Sequence, residues 1–390
     1  MRIARILTRL NLGGPARQAL ASDPLLARRG HTLRLFTGAP QEGEGDLFDE
    51  ACSSGLDTVR IAGLGRDPRP TADLSALRQL RRELDAFQPD VVHTHATKAG
   101  LLGRLASRGR SWARVHTFHG HVLEGYFSAP MSRALQWSER RLAKGTTQLL
   151  AVSEQTKRDL VRLEVAQAAE IGVVPPGVEL SSLLELSAKG GALGASIRGA
   201  CGCSEGDLLV GVIGRLAEVK RPELALEAFR LASSKQPRLR LAFIGDGPLR
   251  HELLSSLSTW GASQRSRVTF LGNQYKMEGV HEACDMILLS SRTEGMPVAL
   301  IEAAAACSPV VSTPVGGVPE LVVDRETGIL AEGAQGLALA LTELAADDAL
   351  RMRLGRAARA RVRERHSAKA LADALERVYA EVASEVACAS

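Results

Sequence analysis

The chain has 390 residues, too many for one compact core and about right for two domains. Hydrophobic residues make up 45% and charged residues 24%, the balance of an ordinary globular chain rather than a disordered one. Aromatic residues are only 4%, too few to supply base-stacking platforms, so no nucleic-acid partner is expected.

No apolar run reaches the roughly 18 residues of a membrane-spanning helix. The richest, at residues 298–307 and 337–346, are interrupted by Glu302 and Glu343. The first residues carry Arg2, Arg5 and Arg9 and do not read as a signal peptide. Cys52, Cys201, Cys203, Cys284, Cys307 and Cys388 contain no Cys-x-x-Cys pair, which fits free thiols in a reducing, cytoplasmic compartment. The net charge of +5 is uneven. Residues 1–178 hold 25 Lys+Arg against 18 Asp+Glu, and the rest hold 24 against 26, so the basic excess belongs to the first half. An anionic partner for that half is one implication; a solvated basic face is the other.

In chain order, short β-branched runs at 2–7, 32–36, 57–61, 91–94, 114–117, 148–152 and 172–174 read as strands. Segments with helical spacing lie between most of them, at 16–29, 73–87 and 132–143 among others. The second half repeats the scheme with strands at 208–213, 240–244, 268–271, 285–289 and 310–312. Strand–helix alternation requires parallel pairing with helices on both faces, so the class is α/β, with two doubly wound domains in tandem. The join falls at Pro175-Pro176-Gly177 and the Gly/Ala/Ser-rich stretch after it. Past about residue 346 the chain reads as helix with nothing catalytic in it.

Four features carry candidate chemistry. Asn11-Leu12-Gly13-Gly14-Pro15 follows the first strand; its glycines allow close backbone approach, and the helix that Pro15 opens favours an anion at its start. A plain strand-to-helix turn would have the same sequence. Five histidines, at 93, 95, 116, 119 and 121, fall at two strand ends, where ligands gather in open α/β sheets. No Asp-x-Asp, His-Glu-x-x-His or cysteine pair accompanies them, so a polar loop is favoured over a metal site and no metal is expected. Arg215 and Lys220 stand between a strand end and a helix, a planar fork and a point charge suited to a diphosphate. The fourth feature is Glu294-Gly295-Met296-Pro297-Val298, running into an apolar helix that contains Glu302. Pro297 at the helix start leaves the N–H groups of Val298 and Ala299 for an anion. A carboxylate among VALIEAAAAC is costly to bury without partners, and sugar hydroxyls would be suitable donors.

Together these residues resemble the glycosyltransferase family 4 group of retaining enzymes. The likeness runs over nearly the whole chain, through LNLGGPARQ, VVHTHATKAG, HTFHGH, VSE, GRLAEVK, FIGDGPL, FLGN, SSRTEGMPVALIEAAAA and TPVGGVPELV in that order. The resemblance implies a GT-B fold, two Rossmann-like doubly wound domains facing a cleft. It implies an acceptor-binding domain at 1–178, a nucleotide-sugar-binding domain at 179–372, and a last helix at 373–390 crossing back to the first domain. Arg215 and Lys220 would neutralise the donor diphosphate, and Gly13 and Gly14 would close over it. Glu302 would bind the ribose, Asn273 would border the base, and Glu294 with Gly295, Met296, Pro297 and Val298 would hold sugar and phosphate. His119 would contact the transferred sugar, while His121 and Tyr126 are candidates on the acceptor side. The implied reaction transfers a sugar from a nucleotide-sugar, UDP by family habit, with retention and without cofactor or metal. Three departures stand out: Pro176 where relatives commonly have Asn, Cys307-Ser308 where they commonly have Gly, and the stretch GNQYKMEGV beside the expected base site, which lacks the acidic residue often found there.

The basic residues of the first half group as Arg78, Arg81 and Arg82, then Arg104, Arg108, Arg110 and Arg114, then Arg133, Arg140, Arg141 and Lys144. Relatives that use lipid-linked acceptors dock on anionic membranes through this domain, so a peripheral position on the cytoplasmic membrane is implied, with a lipid-linked or polysaccharide precursor as acceptor. Two other readings share the fold. A UDP-N-acetylglucosamine 2-epimerase would need no acceptor, and a non-catalytic sugar-nucleotide-binding protein would not keep the full set of site residues. A dinucleotide-dependent dehydrogenase lacks its glycine fingerprint.

Overall fold

The computed structural model describes residues 1–41, 44–120, 123, 128–186 and 191–389. The chain forms two compact units, Met1–Val178 with His366–Ser390, and Glu179–Arg365. The segment that rejoins the first unit thus begins at His366, and its helix spans Ala368–Ala389, starting five residues before Asp373.

The first unit is built on a seven-stranded, wholly parallel sheet. In chain order the strands are β1 (Arg2–Leu7), β2 (Thr32–Thr37), β3 (Asp57–Arg60), β4 (Val91–His95), β5 (Ala113–Phe118), β6 (Gln148–Ala151) and β7 (Ile171–Val173). Their spatial order is β3-β2-β1-β4-β5-β6-β7. The central strands are covered on both faces, yet RIARIL and ARVHTF are not continuous apolar runs: Arg5 and His116 lie buried among their apolar residues. Alternation along each strand still separates the two faces. Ala4, Ile6 and Val92 pack under Leu80, Leu84 and Leu102 on one side. Ile3, Val91 and Val115 pack under Leu26, Leu371, Leu375 and Tyr379 on the other. The C-terminal helix is therefore part of the first unit's core. Arg29 ties its outer edge with ion pairs to Asp373 (2.6 Å) and Glu376 (2.7 Å).

The second unit carries a six-stranded parallel sheet in the order β10-β9-β8-β11-β12-β13. Its strands are β8 (Leu208–Ile213), β9 (Leu239–Ile244), β10 (Val268–Gly272), β11 (Met286–Leu289), β12 (Val310–Ser312) and β13 (Ile329–Leu330). The last has two residues, too short to show a period in the sequence. One face of the sheet is buried by the helices Pro222–Lys235 and Gly333–Ala346, through Ala225, Phe229, Leu337, Leu341 and Leu344.

Both sheets reverse their winding once, between β1 and β4 in the first and between β8 and β11 in the second. At such a switch point the loops leave neighbouring strands in opposite directions and open a crevice at the strands' carboxyl ends. The Gly13-Gly14 turn follows β1 and His95 ends β4; Gly214-Arg215 follows β8 and Glu294 lies just past β11.

Candidate functional site

In the second unit, three loops at the switch point hold one another by backbone contacts. Gly214 leaves β8 with φ +143°, and the turn after β9 is pressed against it. A Cβ on Gly245 would lie 2.2 Å from the Gly214 carbonyl oxygen, and one on Gly247 2.4 Å from that of Leu216. Only glycine permits that approach. The short turn Glu218–Lys220 is fixed from β11: the Ser290 hydroxyl donates to the carbonyls of Lys220 (3.0 Å) and Arg221 (2.8 Å), and Arg292 N donates to that of Val219 (2.8 Å). Arg215 and Lys220 are both partly exposed on this scaffold.

Lys220 Nζ lies 2.6 Å from Glu294 Oε1, and the Ser291 hydroxyl donates to the same oxygen at 2.5 Å. The two residues expected to meet diphosphate and sugar thus form an ion pair with each other. Glu294 is in turn held by its own backbone. Gly317 N donates to the carbonyls of Glu294 (3.4 Å) and Gly295 (3.0 Å), while Gly316, at φ +54°, is so close that a Cβ would fall 1.7 Å from the Glu294 oxygen. Pro297 caps the helix Val298–Ala305 in an extended conformation. The first N–H groups of that helix have no acceptor within it. Glu302 is buried, with Oε2 4.0 Å from Nε2 of the fully buried His281. Asn273 follows Gly272, whose carbonyl accepts from Gly245 N (2.8 Å), so it belongs to the same rim of loops.

In the first unit, Gly13 caps the helix Gly14–Arg28, its N–H bonded to Asn11 Oδ1 (3.2 Å). The histidines are largely core residues rather than a polar loop. His93, His95 and His116 are buried; His93 is bonded to Tyr379 and Thr117, and His116 to Thr94 (2.8 Å). His119 is partly exposed and its Nε2 lies 2.8 Å from Nδ1 of His95. Burial holds His93, His95 and His116 well below the usual imidazole range, and burial with the nearby Arg5 charge brings His119 down to about 3. All four are neutral at pH 7. Ala96, directly after His95, has φ +60° and ψ 172°, a strained conformation for a residue with a Cβ. His121 and Tyr126 lie outside the described residues. Among the described residues no group of three or more His, Cys, Asp or Glu is placed to hold a metal ion, and no helix is long and apolar enough to cross a membrane.

Ser291, Gly316, Gly317, His281 and Tyr379 were not singled out from the sequence as site residues. The paired glycines of TPVGGVPELV mark a turn that could have signalled the support of Glu294. Nothing local marks Tyr379.

The geometry defines two parallel-sheet units with loops at each switch point suited to anions and polar hydroxyls. Residues 12–182 match the family model described as Glycosyltransferase Family 4, and residues 196–361 match that of Glycosyl transferases group 1. The chain is 28% identical over 282 residues to UDP-Gal:alpha-D-GlcNAc-diphosphoundecaprenol alpha-1,3-galactosyltransferase of Escherichia coli, covering 71% of this chain and 72% of that one. It is 29% identical to the D-inositol 3-phosphate glycosyltransferase of Corynebacterium diphtheriae, over 92% of this chain and 87% of that one. Its fold is similar to that of Anabaena HepE, solved with UDP and glucose, with a TM-score of 0.79 at 18% identity over 97% of this chain and 99% of that one. The chain belongs to the group 1, family 4 glycosyltransferases and has the GT-B fold.

Proposed function

We propose that the protein is a retaining glycosyltransferase that moves a hexosyl or N-acetylhexosaminyl unit from a UDP-sugar to a hydroxyl of a lipid-linked or polysaccharide precursor. The observation that carries this reading is the Lys220–Glu294 pair beside the N-terminus of Val298–Ala305, with Glu302 buried in that helix. The lipid-linked acceptor and the UDP donor are supported by the activity of the Escherichia coli relative and by the ligands of HepE.

In this mechanism the sugar C1–O bond to the diphosphate breaks while the acceptor oxygen bonds to C1 on the same face. The acceptor proton passes to the departing diphosphate. Arg215, Lys220 and the N–H groups of Val298 and Ala299 stabilise the charge that grows on the leaving group, so no metal is needed. Glu294 orients Lys220 and, with Gly295, Met296 and Pro297, receives the sugar hydroxyls and phosphate. Glu302 takes the ribose hydroxyls and Asn273 borders the base. Of the first unit's residues, Gly13 and Gly14 serve the diphosphate, neutral His119 serves the transferred sugar, and His121 and Tyr126 serve the acceptor.

A peripheral membrane position is part of the same reading. Trp137 and Met131 are strongly exposed on the helix Ala129–Ala143, which also carries Arg133, Arg140 and Arg141. An apolar pair amid arginines fits an anionic lipid surface.

Binding and slow hydrolysis across UDP-, GDP-, ADP- and TDP-sugars, with and without EDTA, test the proposal. One sugar-nucleotide hydrolysed despite EDTA and lost in Glu302→Ala is the expected result. No binding of any donor, or activity that requires metal, overturns it.

A further inference from the structure

We propose that Tyr379, on the C-terminal helix, is a positioning residue for His119, acting through a line of buried side chains that fixes His93 and, through it, His95. The proposal rests on the reading in which His119 contacts the transferred sugar.

The pleat places the line. Arg5 on β1 is paired in register with His93 on β4, and both face the C-terminal helix with Ile3, Val91 and Val115. Tyr379 is fully buried against them. Its hydroxyl oxygen lies 3.1 Å from Arg5 Nη2 and 2.6 Å from His93 Nδ1. Arginine can only donate, so the Tyr379 oxygen accepts from Arg5, and the arrangement that also satisfies the buried phenolic proton sends it to His93 Nδ1. His93 is then protonated at Nε2, which donates to the Thr117 hydroxyl at 2.8 Å. Arg5 is itself held by a buried ion pair with Asp23 at 2.8 Å. Every polar group of the His93 ring is thereby assigned, and its tautomer and plane follow.

From His93 the ordering passes on by packing. The His93 and His95 rings lie with centroids 4.1 Å apart and planes tilted by 35°. His95 Nδ1 then meets His119 Nε2 at 2.8 Å. Two ring nitrogens of this second pair, His95 Nε2 and His119 Nδ1, are buried without a partner among the described residues. Unlike His93, the pair has no fixed donor to set its geometry, so the plane of His95 depends on what it packs against. The strained backbone of Ala96 adds an independent sign that the chain is forced into place directly after His95. The C-terminal helix thus does more than cover the sheet: one hydroxyl on it sets the histidine row that ends at His119.

The test combines ring nitrogen NMR with kinetics on the nucleotide-sugar that the wild type hydrolyses fastest among UDP-, GDP-, ADP- and TDP-sugars. Tyr379→Phe keeps the ring and removes the hydroxyl. Thr117→Val removes the acceptor on the other side of His93 without touching the C-terminal helix. Both should shift the His93 tautomer signals away from pure Nε2–H. Both should lower kcat about tenfold, as outer partners of functional histidines do, with donor KM within twofold of wild type. In a His119→Ala background neither should lower kcat further. A wild-type kcat in both variants, or losses that multiply with that of His119→Ala, would overturn the positioning role while leaving His119 in place. A wild-type kcat in His119→Ala itself would overturn the role assigned to His119, and the present inference with it.

Discussion

Acidification from pH 7 to pH 5 should destabilise the first unit by at least about 1 kcal/mol. His93, His95, His116 and His119 are held neutral in the folded chain, His119 down to about 3, against an ordinary value of 6.5. In the unfolded chain each takes up a proton as pH falls through that value, so the unfolded state binds more protons and stability falls with pH. For His119 the loss between pH 7 and pH 5 is about 2 kcal/mol, and the other three histidines add to it in the same direction. Asp23 acts the other way. Burial raises its carboxyl to about 6 despite Arg5, so the folded state binds the extra proton between its ordinary 3.8 and 6. That returns about 1 kcal/mol over the same interval. The loss wins, because His119 alone outweighs that return and three further histidines act with it, and it falls on a domain stability of typically only about 5–15 kcal/mol. Urea unfolding at each pH measures it, followed by fluorescence of the buried Trp112 with Trp137 and Trp260 replaced by Phe. A stability that stays level or rises towards pH 5 would refute the buried-neutral assignment of this histidine row.

Other outcomes follow from the same geometry. Arg215→Ala or Lys220→Ala should each lower kcat by about 10²–10³-fold, the cost of removing one preorganised charge donor, read from single-turnover transfer or hydrolysis. Gly316→Ala places a Cβ 1.7 Å from the Glu294 carbonyl at a φ of +54°. It should weaken binding of the nucleotide-sugar donor at least about tenfold by calorimetry and destabilise the second unit by about 1–2 kcal/mol or more from the left-handed backbone alone. Arg104 and Glu139 form a buried ion pair at 2.6 Å, both under 5% exposed. Arg104→Ala should cost about 3–5 kcal/mol by leaving Glu139 unpaired, and the double variant Arg104→Met with Glu139→Leu should recover most of it in urea unfolding. Vesicles containing phosphatidylglycerol should bind the protein at low salt and release it at high salt, and Trp137→Ser should weaken that binding.

Much of the molecule was legible in the chain. A parallel strand covered on both faces tends to be apolar along its length, and helices between strands carry a stripe, so LLVGVI announces its place without any partner. The same holds for residues whose chemistry needs a local motif. A glycine where the backbone turns, a proline that opens a helix and a cation beside a strand end are all set by neighbours in sequence, which is why Gly13, Arg215, Lys220 and the Glu294–Val298 stretch could be singled out. What the tertiary structure alone decided is which of these groups touch. Lys220 and Glu294 are 74 residues apart and become an ion pair because β8 and β11 are adjacent at the switch point. The histidines were visible as a row, but their burial, and so their neutrality, came from helices packed over the sheet. Tyr379 lies 286 residues from His93 and reaches it because the final helix packs with the first unit. Sequence specifies local geometry through steric and hydrophobic period. Contacts across such separations depend on how the elements are stacked, and no local pattern encodes that.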